Sequence, residues 1–453
     1  MKSENLYWVW LSCKLGIANR DFPRLMLKYN NPYDIYAASQ QELSQVDGVS
    51  RATCERLSDK KLNIASGIVE YCAKAGVHIM PYSSELYPNR LRLLDAPPVL
   101  LYVRGNMPFM DDKVCIAAVG TRRMSEYGRD CAYKIAYELG AAGVVTVSGL
   151  ALGIDGVVAG GTIRGGGQTV AVLGCGIDIM YPREHAKLAS IVAANGAVVT
   201  EYAPGTPPIG DHFPVRNRII SGMCQGTLVF EADSKSGAII TANQAMRQGR
   251  QVFAIPGNLG EENTLGTNTL LRDGAILTME TDDILNEYRQ LYDKQLDMPR
   301  LAAARRRFEF SENILQEMGV SARYARGTAP QRSNKPSAPR ESFQKNTPKM
   351  QKTSRRRGYH ADDEAVVKVA DKAINTKNMA TSTHANGDRS SEILASLDEK
   401  HRALFAEIPD DRAITADALA KLGYSIGEVM TAMTMLELKG LVNSLPGGLY
   451  IKR

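Results

Sequence analysis

Along residues 5–80 the apolar positions recur at helical spacing, broken at Leu15-Gly16-Ile17 and at Val46-Asp47-Gly48-Val49-Ser50. From residue 113 the rhythm changes to short apolar, β-branched runs at 114–119, 144–147, 169–173, 197–200, 227–230, 251–255 and 275–278. Stretches of helical periodicity separate these runs. Strands that are apolar on nearly every residue are covered on both faces. The pattern therefore predicts an α/β fold, a doubly wound, Rossmann-like parallel sheet between helix layers, ending in a helix over 282–288. Helical spacing returns at 397–408, 415–422 and 426–439, with Gly423-Tyr424-Ser425 as a turn and Pro446-Gly447-Gly448 as a hairpin signal inside 441–450. Three helices and a hairpin predict a C-terminal winged helix-turn-helix.

Between these patterns, residues 322–360 are rich in Ser, Pro, Lys, Arg and Gln and poor in large apolar side chains. Such a segment buries too little surface to offset its ordering entropy. The expected organisation is a helical domain of the helix-hairpin-helix type at 1–80, a Rossmann-like core at 81–292, a basic disordered linker at 293–390 and the winged domain at 391–453. The Val46–Ser50 turn, followed by Ala52 and Leu57, resembles a helix-hairpin-helix, in which a glycine turn aims backbone N–H groups at a phosphate. Ser50 stands where the second glycine is usual. Contact with DNA and simple packing on a neighbouring domain both remain open there.

Charge sharpens this picture. The net charge is +6, yet residues 321–357 hold eleven Lys or Arg and one Glu, about +10, leaving the remainder near −4. The body is not globally basic, so any polyanion site on it is a local patch, with the basic stretch as a salt-dependent auxiliary. Seven cysteines without CxxC spacing, and six histidines without HxH or HExxH spacing, predict no disulfide framework and no metal site. Glu4 precedes the apolar stretch 6–11, no cleavage pattern follows it, and no run reaches a membrane span. A cytoplasmic protein with no cofactor is the expectation.

In an open parallel sheet the ligand site lies over the carboxyl ends of the strands, where helix N-termini converge. The loops expected there carry Gly120-Thr121-Arg122-Arg123, Ser148-Gly149-Leu150-Ala151, Gly174-Cys175-Gly176, Phe213-Pro214-Val215-Arg216-Asn217-Arg218, and Ser236-Gly237. Glycine and hydroxyl positions let backbone approach an anion. Arginine matches phosphate with its planar fork, and an adjacent aromatic offers a base a stacking face. The candidate DNA-binding residues are therefore Gly120, Arg122, Ser148, Gly149, Phe213, Arg216, Asn217, Arg218, Ser236 and Gly237. Gly160, Gly161 and Gly165 to Gly167 read more simply as serving tight turns. A lone Gly174-x-Gly176, with Ile at 179, does not make a dinucleotide fingerprint.

Read together, Gly120-Thr-Arg, Ser125-Glu-Tyr-Gly128, Ser148-Gly-Leu-Ala, Gly153-Ile-Asp155, Tyr181-Pro182, Phe213-Pro-Val-Arg-Asn-Arg218, Glu231-Ala232, Ser236-Gly237 and Arg250-Gln-Val-Phe-Ala-Ile-Pro-Gly257 resemble the DNA-processing protein A family (DprA or Smf). Leu436-Glu-Leu-Lys-Gly-Leu441 resembles its terminal winged domain. The resemblance implies a single-stranded DNA-binding protein that protects incoming DNA, dimerises through its core, and loads a RecA-type recombinase in natural transformation. It also implies that Arg122 grips backbone phosphate while Phe213, Arg216, Asn217 and Arg218 form the main pocket. Two departures stand out: Leu152 replaces an Arg and Val158-Ala159 replaces Ala-His. Either the pocket is weaker, or Arg123 or His212 supplies the missing charge.

Two other classes compete. A phosphoribohydrolase-type nucleotide hydrolase needs a carboxylate at a Pro-Gly-Gly-x-Gly-Thr-x-x-Glu loop, and the glycines and Glu262 near Pro256-Gly257 do not reproduce that spacing. Asp155, Asp178 and Glu231 read as helix caps and arginine partners, so no catalytic residue is expected. A duplex-reading regulator would use the 426–439 helix, whose only charged residues are Glu428, Glu437 and Lys439. That face suits protein docking better than a phosphate-lined groove.

Overall fold

The computed structural model describes residues 2–310, 312–321, 399–409 and parts of 414–452. Residues 322–390, the greater part of the segment 293–390 expected as a linker, lie outside the described residues.

The sheet has nine strands: β1 (His78–Pro81), β2 (Leu100–Gly105), β3 (Cys115–Val119), β4 (Val145–Ser148), β5 (Thr169–Val172), β6 (Gly196–Thr200), β7 (Gly226–Val229), β8 (Gln251–Ala254) and β9 (Ile276–Leu277). Their spatial order is β1-β2-β6-β5-β4-β3-β7-β8-β9. β3 to β9 are parallel, and β2 runs antiparallel to β6 and to β1. From β3 the chain winds outward to β6, then returns to place β7 on the other side of β3. The switch point, where crossover helices diverge and a crevice opens, therefore lies between the ends of β3 and β7.

Alternation along each strand builds two cores. Ile116, Ala118, Ala171, Val198 and Phe253 face one side, where the helices Glu126–Ala141, Ile154–Arg164, Ala186–Ala194 and Thr281–Tyr292 pack. Ala117, Val147, Val170, Val199 and Val252 face the helices His212–Gly222, Gly237–Arg247 and Glu262–Arg272. The first core also takes in the N-terminal helices: Trp8, Trp10, Phe22 and Leu25 are buried in the same cluster as Tyr102. The helical domain and the sheet are thus one packed body. Gly161 lies inside the helix Ile154–Arg164 and serves no turn, whereas Gly165 and Gly166 form the turn that ends it. A Cβ at Gly161 or Gly165 would strike the Tyr133 or Tyr137 carbonyl, so their bareness lets the helices Glu126–Ala141 and Ile154–Arg164 touch backbone to backbone.

Order continues past residue 292. The helices Met298–Arg307 and Glu312–Glu317 occupy the first part of the segment expected as linker. Pro299 sits in the first turn, where its missing N–H costs nothing. Arg305 bridges Glu138 and Asp282 at 2.9 and 2.8 Å, and Phe308 and Phe310 pack on Tyr133 and Tyr137. Tertiary partners hold a helix that its own arginine-rich pattern does not announce.

The end of this segment is latched by His185, whose Nδ1 lies 3.0 Å from the Leu150 carbonyl while Nε2 accepts the Ser321 N–H at 3.1 Å. Burial holds this imidazole below its ordinary value of 6.5, against the opposing pull of the Leu150 and Ser321 contacts and of Asp155 and Glu184. A depressed folded pKa means that the latch is whole above about pH 6.5 and is lost as pH falls through the lower folded value. The protection factor of the Ser321 amide, its exchange rate relative to the intrinsic rate at the same pH, is expected to fall between pH 7 and pH 5; an unchanged protection factor would refute the latch.

The C-terminal unit contains the helix Glu399–Ala406 and the strands β10 (Ile414–Thr415), β11 (Val442–Leu445) and β12 (Leu449–Lys452), in the order β10-β12-β11, all antiparallel. Leu404, Leu419, Val429, Met433, Leu436 and Val442 form its core. The hairpin β11–β12 is the expected wing.

Candidate functional site

The His212–Gly222 helix organises the site through its register. Spacings of three and four residues place Phe213, Arg216, Asn217 and Ile220 on one face, and these line a cleft of about 990 Å³ over the sheet crest. Arg216 is 5% exposed. It donates to the Gly149 carbonyl at 3.0 Å, to the Val172 carbonyl, and to Asn217 Oδ1 at 3.1 Å. Burial pulls its guanidinium down to about 10, with Asp155 opposing, so it stays charged at neutral pH. Gly149 is required here because a Cβ would lie 2.6 Å from that guanidinium.

Phe213 is the hub. The Arg122 and Arg216 guanidinium carbons lie 5.7 and 5.8 Å from its ring centroid, and the Tyr181 ring lies at 5.3 Å, tilted by 38°. Arg122 is exposed and Tyr181 is 38% exposed, so charge and an aromatic face are both presented to solvent.

The crest loops are held by carboxylates. Asp155 Oδ2 accepts from the Gly149 and Ala151 N–H groups at 2.8 and 3.4 Å. Burial pushes Asp155 up, while Arg216 and those two donors pull it back. Glu231 accepts from the Ser125 N–H at 2.9 Å and from its hydroxyl, fixing the cap of the Glu126–Ala141 helix. Burial raises Glu231 as well, with Ser125 opposing. Asp178 accepts from the Gly205 N–H at 2.9 and 3.0 Å. Gly153, at φ +82°, packs so closely that a Cβ would lie 2.5 Å from the Thr121 carbonyl, clasping the loops after β3 and β4 together. Across the cleft, Ser236 stands at the N-cap position of the Gly237–Arg247 helix without a side-chain capping bond. Its buried Oγ has no partner among the described residues, and space at Gly237 is open. A hydroxyl beside a helix N-terminus is an anion-receptive corner.

Of the residues expected from sequence, Gly120, Arg122, Phe213, Arg216, Asn217, Ser236 and Gly237 line the larger cleft, and Gly149 lines a smaller cavity beside it. Ser148 is buried at the end of β4. Arg218 lines neither space: one step round the helix, it pairs with Glu201 at 2.6 Å, both buried. Arg123 does line the larger cleft, whereas His212 lies flat on Tyr202 at 4.4 Å and lines neither. Tyr181, absent from the expected site, joins both spaces; its sequence signal was the aromatic of Tyr181-Pro182. In the N-terminal hairpin, the Ser50 N–H and hydroxyl both donate to Asp21, at 3.1 and 2.7 Å, and Arg24 covers the Gly48 carbonyl at 2.7 Å. The Ser50 N–H is therefore already engaged by the Asp21 carboxylate.

Among the described residues no group of His, Cys, Asp and Glu is placed to hold a metal ion, and no helix is long and apolar enough to cross a membrane. All seven cysteines are free.

Residues 78–289 match the family model of DNA recombination-mediator protein A, and residues 389–448 match the DprA winged helix domain. The chain is 39% identical over 212 residues to the DNA processing protein DprA of Bacillus subtilis, covering 47% of this chain and 71% of that protein. It is 41% identical over 209 residues to the protein Smf of Escherichia coli, covering 46% and 56%. The X-ray structure of DNA processing protein A from Streptococcus pneumoniae superposes with a TM-score of 0.55 at 32% identity, over 62% of this chain and 97% of that one.

Proposed function

Because the chain belongs to the DNA recombination-mediator protein A (DprA/Smf) family, we propose that it binds single-stranded DNA across the crest cleft, protects it, and passes it to a RecA-type recombinase as a homodimer built through the core. The observation that carries this reading is Phe213, set between Arg122 and Arg216 and against Tyr181. Stacked bases of a duplex offer no free face to such a cluster, whereas splayed bases of a single strand do. Ser236 and the helix start at Gly237 add an uncharged phosphate perch.

The protein acts in this reading by binding, without catalysis. Asp155, Asp178 and Glu231, the carboxylates that a nucleotide hydrolase would call on, already hold loop and helix ends. Release of free base from nucleoside monophosphates would overturn the non-catalytic reading. The main test is a salt titration against single-stranded and duplex DNA of equal length. Single strands are expected to bind more tightly throughout, with log K falling linearly in log salt. Removing residues 322–390 is expected to flatten that line and leave the single-strand preference in place. Equal affinity for the duplex at every salt concentration is the result that would sink the proposal.

A further inference from the structure

In the loop after β4, Leu150 sits at φ +54°, a left-handed conformation that a leucine keeps only where its surroundings impose it. Three side chains do so. Asp155 takes the Gly149 and Ala151 N–H groups, Arg216 donates to the Gly149 carbonyl, and His185 meets the Leu150 carbonyl at 3.0 Å. Asp155 and Arg216 line the main cleft; His185 is wholly buried and lines neither space. Its tautomer is set by its other partner. The Ser321 N–H can only donate, so Nε2 is the bare nitrogen, and Nδ1 carries the proton that the Leu150 carbonyl receives. The ring is also clamped by packing: a Cβ at Gly156 would lie 2.7 Å from its Cε1 and 3.3 Å from Val320. Leu315 and Val320 are buried, and a Cβ at Gly160 would meet Leu315 at 2.9 Å. Residues 312–321 thus lie along the helix Ile154–Arg164 and end with an N–H on the imidazole.

We propose that His185 is a positioning residue for strand binding, and that residues 312–321 act on the cleft through it. The docked segment orients the imidazole, and the imidazole holds Leu150 left-handed. The loop then presents the Gly149 carbonyl to Arg216, whose guanidinium lies 5.8 Å from the Phe213 ring centroid. The inference rests on the single-strand reading of the cleft. It assigns control of the Arg216 geometry to a segment that lines neither space and lies outside both family-matched regions. Because that segment leads directly into the basic stretch, whatever undocks it there also loosens the cleft.

The test uses the full chain at neutral pH with oligothymidylate as the probe. Ser321→Pro removes the backbone donor and Ser321→Ala keeps it, and neither changes charge or touches a cleft residue. By fluorescence anisotropy, Ser321→Pro is expected to bind about fivefold more weakly than Ser321→Ala. The log–log salt slopes of the two are expected to be equal, because no phosphate contact is lost. Coupling is reciprocal, so saturating oligothymidylate is expected to raise the protection factor of the Ser321 amide in the wild type by about the same factor. His185→Phe keeps a ring and loses both nitrogens, and is expected to abolish that rise. The same rise in His185→Phe would trace the protection to DNA touching the chain beyond Ser321 and overturns the proposal. Equal affinity of the Pro and Ala variants also overturns it and leaves the cleft reading standing. Failure of the wild type to bind oligothymidylate at low salt overturns the cleft reading itself.

Discussion

Replacing Glu201 with alanine is expected to cost the folded body about 3–5 kcal/mol, because it strands a buried arginine. Arg218 is 8% exposed and Glu201 3%, and the 2.6 Å contact is the only partner that Arg218's side chain has among the described residues, with Nε and Nη1 already unmatched. Burial pushes the Glu201 carboxyl upward, and Arg218 together with the Ala18 N–H at 3.4 Å pulls it back. Removing either charge leaves the other desolvated. Removing both, as in Glu201→Leu with Arg218→Met, is expected to be close to neutral, since apolar replacement of a buried pair relieves the desolvation penalty. Urea denaturation of the two single variants and the double variant checks this. A Glu201→Ala loss below about 1 kcal/mol would show that water reaches the pair. The same result bears on DNA: any loss of binding in Arg218→Ala should track unfolding, not a missing phosphate contact.

The second large effect concerns the cleft. Arg122→Ala is expected to weaken single-strand binding about tenfold at low salt, alike for every base composition, and to flatten the log–log salt slope by about 0.7, the signature of one lost phosphate contact. Phe213→Ala is expected to weaken binding by 1–3 kcal/mol, about 5- to 150-fold, with the slope unchanged, because stacking releases no counterions. The two variants thus separate charge from stacking within one cluster. If Arg122→Ala changed affinity for one base and not another, its role would be base recognition; if Phe213→Ala altered the slope, the ring would be positioning a cation and not a base.

The parallel strands were legible because burial on both faces writes itself as unbroken apolar runs, and β3 to β9 fall on those runs. β1 and β2 were harder. They are antiparallel, lie toward one edge of the sheet, and flank Pro97 and Pro98, so residues 78–80 fall in the stretch read as helical and 100–105 carry no strand reading. The Met298–Arg307 helix fully buries only Leu301, with Met298 and Ala304 half-buried beside it, and it is tied down by Glu138 and Asp282, which are remote in sequence. At the site, the helix bearing the motif from Phe213 to Arg218 does border the cleft, but two arginines two positions apart point to different faces. Arg216 enters the cleft and Arg218 does not, a distinction that follows from helical register once the face bearing Phe213 is fixed. Tyr181 comes to Phe213 only through the fold.

The core that runs unbroken from Trp8 and Phe22 to Tyr102 and Ile116 also bears on how truncated forms are read. The family-matched region begins at residue 78, which invites use of the core alone as a reagent. Cutting there bares the faces of β1 and β2 that Trp8 and Phe22 cover, and removes Ala18 from Glu201. The N-terminal helices and the sheet are therefore expected to unfold together, so a deletion phenotype mapped to those helices is expected to report lost folding before any separate role of theirs.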